Sequence, residues 1–182
     1  YRSEELIGWK FYFISQMYIS SKITSEFATW VDSKIQNIAL KRKKCLILDL
    51  DNTLWGGVLG EEGINGIQIG GDYPGKAFLY FQEALSALSK EGIILSVCSK
   101  NNEEDVFDAG EKNPFKKKKK KDFVAIRINW NDKASNIVEL SKELNIGLDS
   151  MVFIDDNPAE RELVKQTLPM VAVPDFPKQA YM

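Results

Sequence analysis

Two aspartates follow an apolar stretch in the sequence CLILDLDNTLWGG, residues 45–57. Asp49 and Asp51 stand where a buried strand would end, and an ionised carboxylate is costly to bury without a partner. A lone pair of aspartates at this spacing is also typical of capping. Their chemistry, either metal binding or phosphoryl transfer, therefore depends on which other residues reach them.

Polar residues also follow three later apolar stretches. These groups are Ser99, Lys100 and Asn101, then Asn131, Asp132 and Lys133, then Asp155, Asp156 and Asn157. Ligands of an open parallel sheet bind at the carboxyl ends of its strands, which lie at one edge. Four polar groups at four strand ends are therefore predicted to form one site, which capping alone does not explain.

Carboxylates that meet at such an edge repel one another, by about 4 kcal/mol for charges ~4 Å apart at an effective dielectric of about 20. Asp49, Asp155 and Asp156 would therefore need a cation to stay ionised together. An all-oxygen ligand set favours Mg²⁺ over zinc or copper. A carboxylate beside Mg²⁺ and a lysine is the setting of an aspartyl-phosphate nucleophile. Ser99 and Lys133 offer a hydroxyl donor and a positive charge to a phosphoryl group.

The composition excludes several other chemistries. The chain has no histidine, which removes Ser-His-Asp catalysis and histidine zinc sites. A net charge of -2 gives no general attraction to nucleic acid. The two cysteines, Cys45 and Cys98, fit a reducing compartment. With no signal-peptide pattern and no apolar run near the ~20 residues of a membrane span, we expect a cytoplasmic protein.

The spacing of apolar residues predicts the elements that position these groups. Predicted strands cover 45–48, 93–97, 124–126, 151–154 and 171–173, and predicted helices cover 75–90, 102–109, 133–144 and 158–166. This alternation predicts a doubly wound, Rossmann-like α/β domain over 44–182, with a parallel sheet of about five strands. Residues 1–43 are predicted to be a helical segment that links the domain to an upstream one.

Two stretches stand apart from this alternation. The glycine-rich residues 55–74 lack the spacing of a phosphate-binding loop and predict a tight turn with a small β-flap, hence a minimal cap. The lysine run at 116–121 repels itself, which favours a solvated loop. A basic surface for an acidic partner is the alternative for that run.

The four polar motifs, in this chain order, resemble those of the haloacid dehalogenase (HAD) superfamily. The segments LILDLDNTLWGGVLGEEG, VCSKNNEEDV, INWNDKASNI and LNIGLDSMVFIDDNPAERELV are similar, more narrowly, to its FkbH-like branch, subfamily IIIC. The resemblance spans about residues 44–175. It implies a HAD-like fold and an Mg²⁺-dependent phosphatase or phosphotransferase that acts on a phosphorylated small molecule.

The resemblance also implies roles for the residues of the first motif. Asp49 would be the catalytic nucleophile, and its side chain would bind both the metal and the phosphoryl group. Asp51 would be the general acid and base, with its backbone carbonyl on the metal. Thr53 would steady the loop that carries both aspartates.

The other motifs would complete the site. Ser99 and Lys133 would be catalytic residues that hold the phosphoryl group, and Lys100 would be a further phosphate-binding residue beside them. Asp155 would be the acidic metal ligand, with Asp156 as a direct or water-mediated second ligand.

Several reactions remain open at this point. FkbH-like proteins are associated with removing phosphate from 1,3-bisphosphoglycerate and loading a glyceryl unit onto an acyl carrier protein. In that scheme Cys98 would be the acyl-carrying thiol, the alternative being an inert buried cysteine. A plain small-molecule or protein phosphatase needs only the four motifs. A catalytically silent binding domain is the remaining alternative, and it has no need for five intact motif residues.

Overall fold

The computed structural model describes residues 13–14, 20, 23–38, 42–112 and 120–177 of the chain. The chain divides into two compact units, Tyr1–Arg42 and Lys43–Met182. In the first unit, helix α1 covers Thr24–Ile38, and its Phe27 and Trp30 rings stack with centroids 5.9 Å apart. Residues 1–12 of the predicted helical segment, and 113–119 around the lysine run, lie outside the described residues.

A parallel four-stranded sheet forms the centre of the second unit. Its strands are β1 (Cys45–Leu48), β2 (Ile94–Ser99), β3 (Ala125–Ile128) and β4 (Met151–Ile154). The strand order is β3-β2-β1-β4, and every pairing is parallel. The register aligns Leu48 with both Val97 and Ile154, so β1, β2 and β4 end at one edge. The predicted fold class is confirmed.

The last predicted strand, at 171–173, contributes one bridge to this sheet rather than a full strand. Ala172 pairs in parallel with Val152, through a hydrogen bond from Phe153 N to Ala172 O of 2.9 Å and one from Ala172 N to Met151 O of 3.1 Å. Pro174 follows closely, and a proline has no N–H with which to extend a ladder.

Helices cover both faces of the sheet. They are α2 (Leu59–Gly66), α3 (Gly75–Lys90), α4 (Glu103–Lys112), α5 (Lys133–Leu144) and α6 (Pro158–Thr167). The Asp132 side chain caps α5 by accepting from Ser135 N at 2.8 Å, and the Asn157 side chain caps α6 by accepting from Ala159 N at 2.9 Å. None of the helices in the described part of the chain is long and apolar enough to cross a membrane.

Alternating strand residues separate two hydrophobic cores. Ile47 and Cys98 belong to the core that includes Ile137 of α5, whereas Leu48 and Val97 belong to the other core. This alternation follows from the pleat of a strand, whose successive side chains point to opposite faces. Apolar residues on both faces are what a doubly wound sheet requires.

Helix α2 lies within the stretch predicted as a turn and β-flap. Gly56 and Gln68 do pair as an antiparallel bridge, with N to O distances of 3.0 and 2.8 Å, so a small flap-like closure exists. The residues between them are mainly helical, with a break at Gly63, whose φ is 68°. The prediction missed this helix because glycines weaken a helical pattern. Buried Leu59 anchors the helix on the core and compensates for that weakness.

Candidate active site

Three buried charged residues meet at the carboxyl edge of the sheet. Asp49 follows β1, Asp155 follows β4, and Lys133 begins α5. Lys133 Nζ lies 2.9 Å from Asp49 Oδ1 and 2.5 Å from Asp155 Oδ2. The exposed fractions are 5% for Asp49, 4% for Lys133 and 0% for Asp155, so these charges interact away from bulk water.

Burial shapes the electrostatics of this group. It raises the pKa of Asp49 to about 6, because desolvation and the charge of Asp155 outweigh the attraction of Lys133. Burial alone would lower the pKa of Lys133, but the two carboxylates outweigh it and raise the pKa above its usual value. Lys133 therefore stays charged at neutral pH.

Three carboxylates of this edge are arranged as a metal site. Oxygens of Asp49, Asp155 and Asp156 lie within 4.8 Å of one another. Burial, followed by the charge of Asp155, raises the pKa of Asp156. Lys133 and the Arg161 guanidinium set two positive charges against these three carboxylates, so an excess of negative charge remains that a metal cation would neutralise. Oxygen donors of this kind fit a hard cation such as Mg²⁺.

Two side chains hold the loop that carries Asp155 and Asp156. Thr53 Oγ1 accepts a hydrogen bond from Asp156 N at 3.2 Å, which ties this loop to the loop after β1. The Arg161 guanidinium donates to the carbonyl oxygens of Asp155 and Asp156, at 2.8 and 2.6 Å. Sequence reasoning gave Arg161 no role, although it lies within the fourth motif.

Asp51 faces a different part of the site. Its Oδ1 accepts from Trp55 Nε1 at 2.9 Å and from Leu59 N at 3.1 Å, and its Oδ2 accepts from Asn101 Nδ2 at 2.9 Å. Trp55 and Asn101 are functional candidates that the sequence did not single out. Asn101 stood within the second polar cluster, and this was the available signal.

Ser99, the last residue of β2, and Lys100, which follows it, make contacts in different directions. Ser99 is 2% exposed, and its Oγ accepts from Asn101 Nδ2 at 3.3 Å. The Lys100 ammonium instead reaches α6, where it lies 2.6 Å from Glu160 Oε1. Glu160 Oε2 is buried and has no hydrogen-bond partner among the described residues.

Cys98 lies in the hydrophobic core behind this edge. It is fully buried, its Sγ is 3.9 Å from Lys133 O, and burial raises the pKa of its thiol to about 12. The thiolate is the reactive form of cysteine. The role of Cys98 as an acyl carrier stays a prediction, and its environment counts against it.

Family comparison decides which proteins share this arrangement. The family model described as NLI interacting factor-like phosphatase matches residues 44–180, which includes every site residue above. The chain belongs to this phosphatase family. No curated protein matches the chain.

Solved structures extend the comparison of this phosphatase-family chain. The N-terminal part of protein BF1531 from Bacteroides fragilis, which contains a phosphatase domain and was crystallised with Mg, is 42% identical with a TM-score of 0.82. The alignment covers 99% of this chain and 48% of that one, so our chain spans about half of its length.

More distant structures share the fold alone. A HAD family enzyme from Bacteroides thetaiotaomicron, in complex with magnesium and inorganic phosphate, is 14% identical with a TM-score of 0.52. That alignment covers 75% of this chain and 94% of the other. A predicted HAD-like hydrolase from Porphyromonas gingivalis is 10% identical with a TM-score of 0.51, over 72% and 89% of the two chains. The predicted HAD superfamily is confirmed.

Proposed function

We propose that this protein is an Mg²⁺-dependent phosphatase that works through a phosphoryl group carried on Asp49. The observation that supports this most directly is the buried contact of Lys133 with both Asp49 and Asp155. Phosphoryl transfer needs a positioned nucleophile and positive charge against the phosphoryl oxygens, and this arrangement offers both. The family match and the Mg complex of the Bacteroides fragilis relative agree with it.

Asp49 and its neighbours carry out the first half of the proposed reaction. The Asp49 carboxylate attacks phosphorus while Ser99 and Lys133 bind phosphoryl oxygens, and the bond to the leaving oxygen breaks. Asp51 gives its proton to that oxygen. The carboxylates of Asp49 and Asp155, with Asp156 beside them, would hold Mg²⁺, which would supply further positive charge.

Asp51 then acts in the opposite direction. It accepts a proton from a water molecule as that water attacks the phosphorus, which breaks the bond to Asp49 and releases inorganic phosphate. Asp51 is thereby protonated again, by a proton from water, and Asp49 is again a free carboxylate. One residue serves as both acid and base because its protonation state alternates between the two half-reactions.

A phosphorylated small molecule is the proposed substrate class. A cavity of about 740 Å³ borders the site at Thr53 and Asp156, and Phe78, Phe81 and Phe176 contribute to its apolar wall. A cavity of this size accommodates a small organic group. A protein phosphatase is the alternative, and it would engage a surface rather than this cavity.

The FkbH-like reaction is the finer proposal. It would remove phosphate from 1,3-bisphosphoglycerate and pass the glyceryl unit to an acyl carrier protein, and its support is the resemblance of the four motifs. Cys98 burial favours plain hydrolysis instead. Incubation with 1,3-bisphosphoglycerate and a carrier protein separates the two. Glyceryl transfer adds mass to the carrier, whereas hydrolysis releases phosphate and leaves the carrier mass unchanged.

Two broader proposals concern the chain as a whole. The division at Arg42 and Lys43 supports an N-terminal segment of residues 1–43 linked to a catalytic domain of 44–182. Both cysteines, Cys45 and Cys98, are free thiols, which supports a reducing, cytoplasmic location.

Phosphate release tests the proposed function. We expect turnover of p-nitrophenyl phosphate or acetyl phosphate with Mg²⁺, and loss of turnover with EDTA or in Asp49→Asn. Asp72→Asn is the matched control, because Asp72 is an exposed aspartate of the same unit and its change should leave turnover intact. Full activity in Asp49→Asn, or turnover unaffected by EDTA, overturns the assignment.

A further inference from the structure

We propose that Asn101 is a positioning residue that orients Asp51 for proton transfer and couples it to Ser99. This inference rests on the proposed function, because it assigns Asn101 a role in the same reaction. Asn101 Nδ2 lies 2.9 Å from Asp51 Oδ2 and 3.3 Å from Ser99 Oγ. Its exposed fraction is 6%, so water competes little for either contact.

The chemistry of an amide group suits this position. The NH₂ group of asparagine has two hydrogens, so one nitrogen can donate to the carboxylate and to the hydroxyl together. Because Ser99 Oγ accepts from Asn101, its own hydrogen can be donated to the Asp49 carboxylate, as it is in this structure, or to a phosphoryl oxygen bound beside it. Asn101 thereby links the residue that moves the proton to one that binds the phosphoryl group.

The opposite side of Asp51 is held by the loop after β1. Trp55 Nε1 and Leu59 N both donate to Oδ1, and the Trp55 side chain is fully buried in the core. Oδ2 accepts a hydrogen bond from Asn101 Nδ2 at 2.9 Å. With both oxygens held, the carboxylate cannot rotate freely about its Cβ–Cγ bond. Loss of Asn101 removes the restraint on Oδ2 while leaving the Oδ1 contacts in place, so Oδ2 is held less firmly.

If Asp51 is misplaced, we expect the reaction to slow mainly on substrates whose leaving oxygen needs a proton. An alkoxide is a poor leaving group and depends on general acid catalysis, whereas p-nitrophenolate leaves without protonation. The ratio kcat/KM reports the first irreversible step, which here is formation of the aspartyl phosphate. A comparison of an alkyl ester with an aryl ester therefore separates proton transfer from phosphate binding.

The test compares Asn101→Ala with Asn102→Ala on glycerol phosphate and p-nitrophenyl phosphate. General acid–base catalysis contributes about 10²- to 10⁴-fold, so we expect Asn101→Ala to lose roughly 10- to 100-fold in kcat/KM on the alkyl ester. The aryl ester should lose about fivefold or less, because its leaving group needs no proton. Asn102 is an exposed neighbour that contacts Asp105, and its alanine variant should match the wild type on both esters.

A second set of variants keeps the test independent of folding. Asn101→Leu keeps the number and branching of the side-chain heavy atoms but has no donor, and it should show the same selective loss. In an Asp51→Asn background, Asn101→Ala should cost little more, because residues that act through one group are not additive.

Three outcomes overturn this inference or its basis. An equal loss on both esters shows that Asn101 acts on phosphate binding or folding rather than through Asp51. Unchanged kcat/KM on the alkyl ester shows that it positions nothing. No phosphate release by the wild type from either ester overturns the proposed phosphatase instead, which distinguishes the two failures.

Discussion

Lys133 Nζ lies 2.9 Å from Asp49 Oδ1, although the two residues are 84 positions apart in the chain. The same ammonium group contacts Asp155, so one cation serves two carboxylates from two strands. Removal of one partner from a buried ion pair leaves the other charge without compensation. This contact is therefore expected to matter to both folding and catalysis.

The contacts of Lys133 predict that its substitution lowers both stability and phosphatase activity. Lys133→Met keeps a long side chain but leaves Asp49 and Asp155 buried without a cation. We expect destabilisation of about 3 kcal/mol in the metal-free protein and a loss of phosphate release of at least ~100-fold. Urea unfolding and phosphate release measure the two effects. The exposed Lys142→Met on the same helix is the control, and equal behaviour of the two variants would contradict the assigned role.

The raised pKa of Asp49 predicts that Asp49→Asn stabilises the metal-free protein at neutral pH. In the metal-free protein the folded state holds a proton on Asp49 up to about pH 6, whereas the ordinary pKa of an aspartate is 3.8. Stability from this group is therefore lost as the pH rises from about 4 to about 6. Asp49→Asn removes that loss, so in EDTA the variant should be more stable than the wild type at pH 7, by roughly 1 to 3 kcal/mol.

The stability difference between Asp49→Asn and the wild type should vanish in one condition and change sign in another. At pH 4 the advantage of Asp49→Asn should shrink towards zero, because the wild-type group is then protonated when folded. With saturating Mg²⁺ the wild type should become the more stable protein, since binding to the native state adds stability. Thermal unfolding at pH 4 and pH 7, with EDTA and with Mg²⁺, measures both. A variant less stable than the wild type in EDTA at pH 7 would contradict the expected electrostatics.

Asp156 predicts a metal-affinity effect that leaves the nucleophile intact. Asp156→Asn removes one of three clustered carboxylates, so the Kd for Mg²⁺ should rise about tenfold. Titration of phosphate release against Mg²⁺ measures this change, and activity should return at high Mg²⁺. Asp149→Asn, which alters an exposed aspartate of the same unit, is the control. Unchanged Mg²⁺ dependence in Asp156→Asn would remove Asp156 from the metal site.

The ion pair between Lys100 and Glu160 predicts that substitutions of the two residues affect KM in opposite directions. Lys100 is a proposed phosphate-binding residue that α6 holds through Glu160. Lys100→Ala should raise KM severalfold with little change in kcat. Glu160→Gln frees the ammonium group and should lower KM or leave it unchanged. Steady-state kinetics on one phosphate ester measures the KM of both variants. A raised KM in Glu160→Gln with an unchanged KM in Lys100→Ala would show that Glu160, rather than Lys100, contributes to substrate binding.

The burial of Cys98 predicts that thiol reagents do not modify it in the native protein. The native protein should not react with iodoacetamide at pH 7.5, because the thiol is buried and its pKa is raised. Cys98→Ala should retain phosphate release. Mass spectrometry of native and urea-unfolded protein checks the first point, with buried Cys45 as the internal comparison. Rapid native labelling of Cys98 would revive the acyl-carrying proposal.

Much of the fold was accessible from the sequence. Strands β1 and β4 and helices α3 and α5 have the predicted bounds, because continuous apolar runs and helical spacing are local signals. Helix α2 was missed because its glycines weaken the local signal, while the burial of Leu59 that stabilises it depends on tertiary contacts. The last strand was reduced to one bridge for a local reason, the proline that follows it.

The residue types of the candidate site were determined by the sequence alone, because parallel strands bring their carboxyl ends to one edge whatever the details of packing. Tertiary structure alone decided which side chains touch. It turned Asp51 towards Trp55 and Asn101, and Lys100 towards Glu160. These contacts join residues as much as 60 positions apart. Their distances follow from how helices pack on the sheet, which spacing along the chain does not encode.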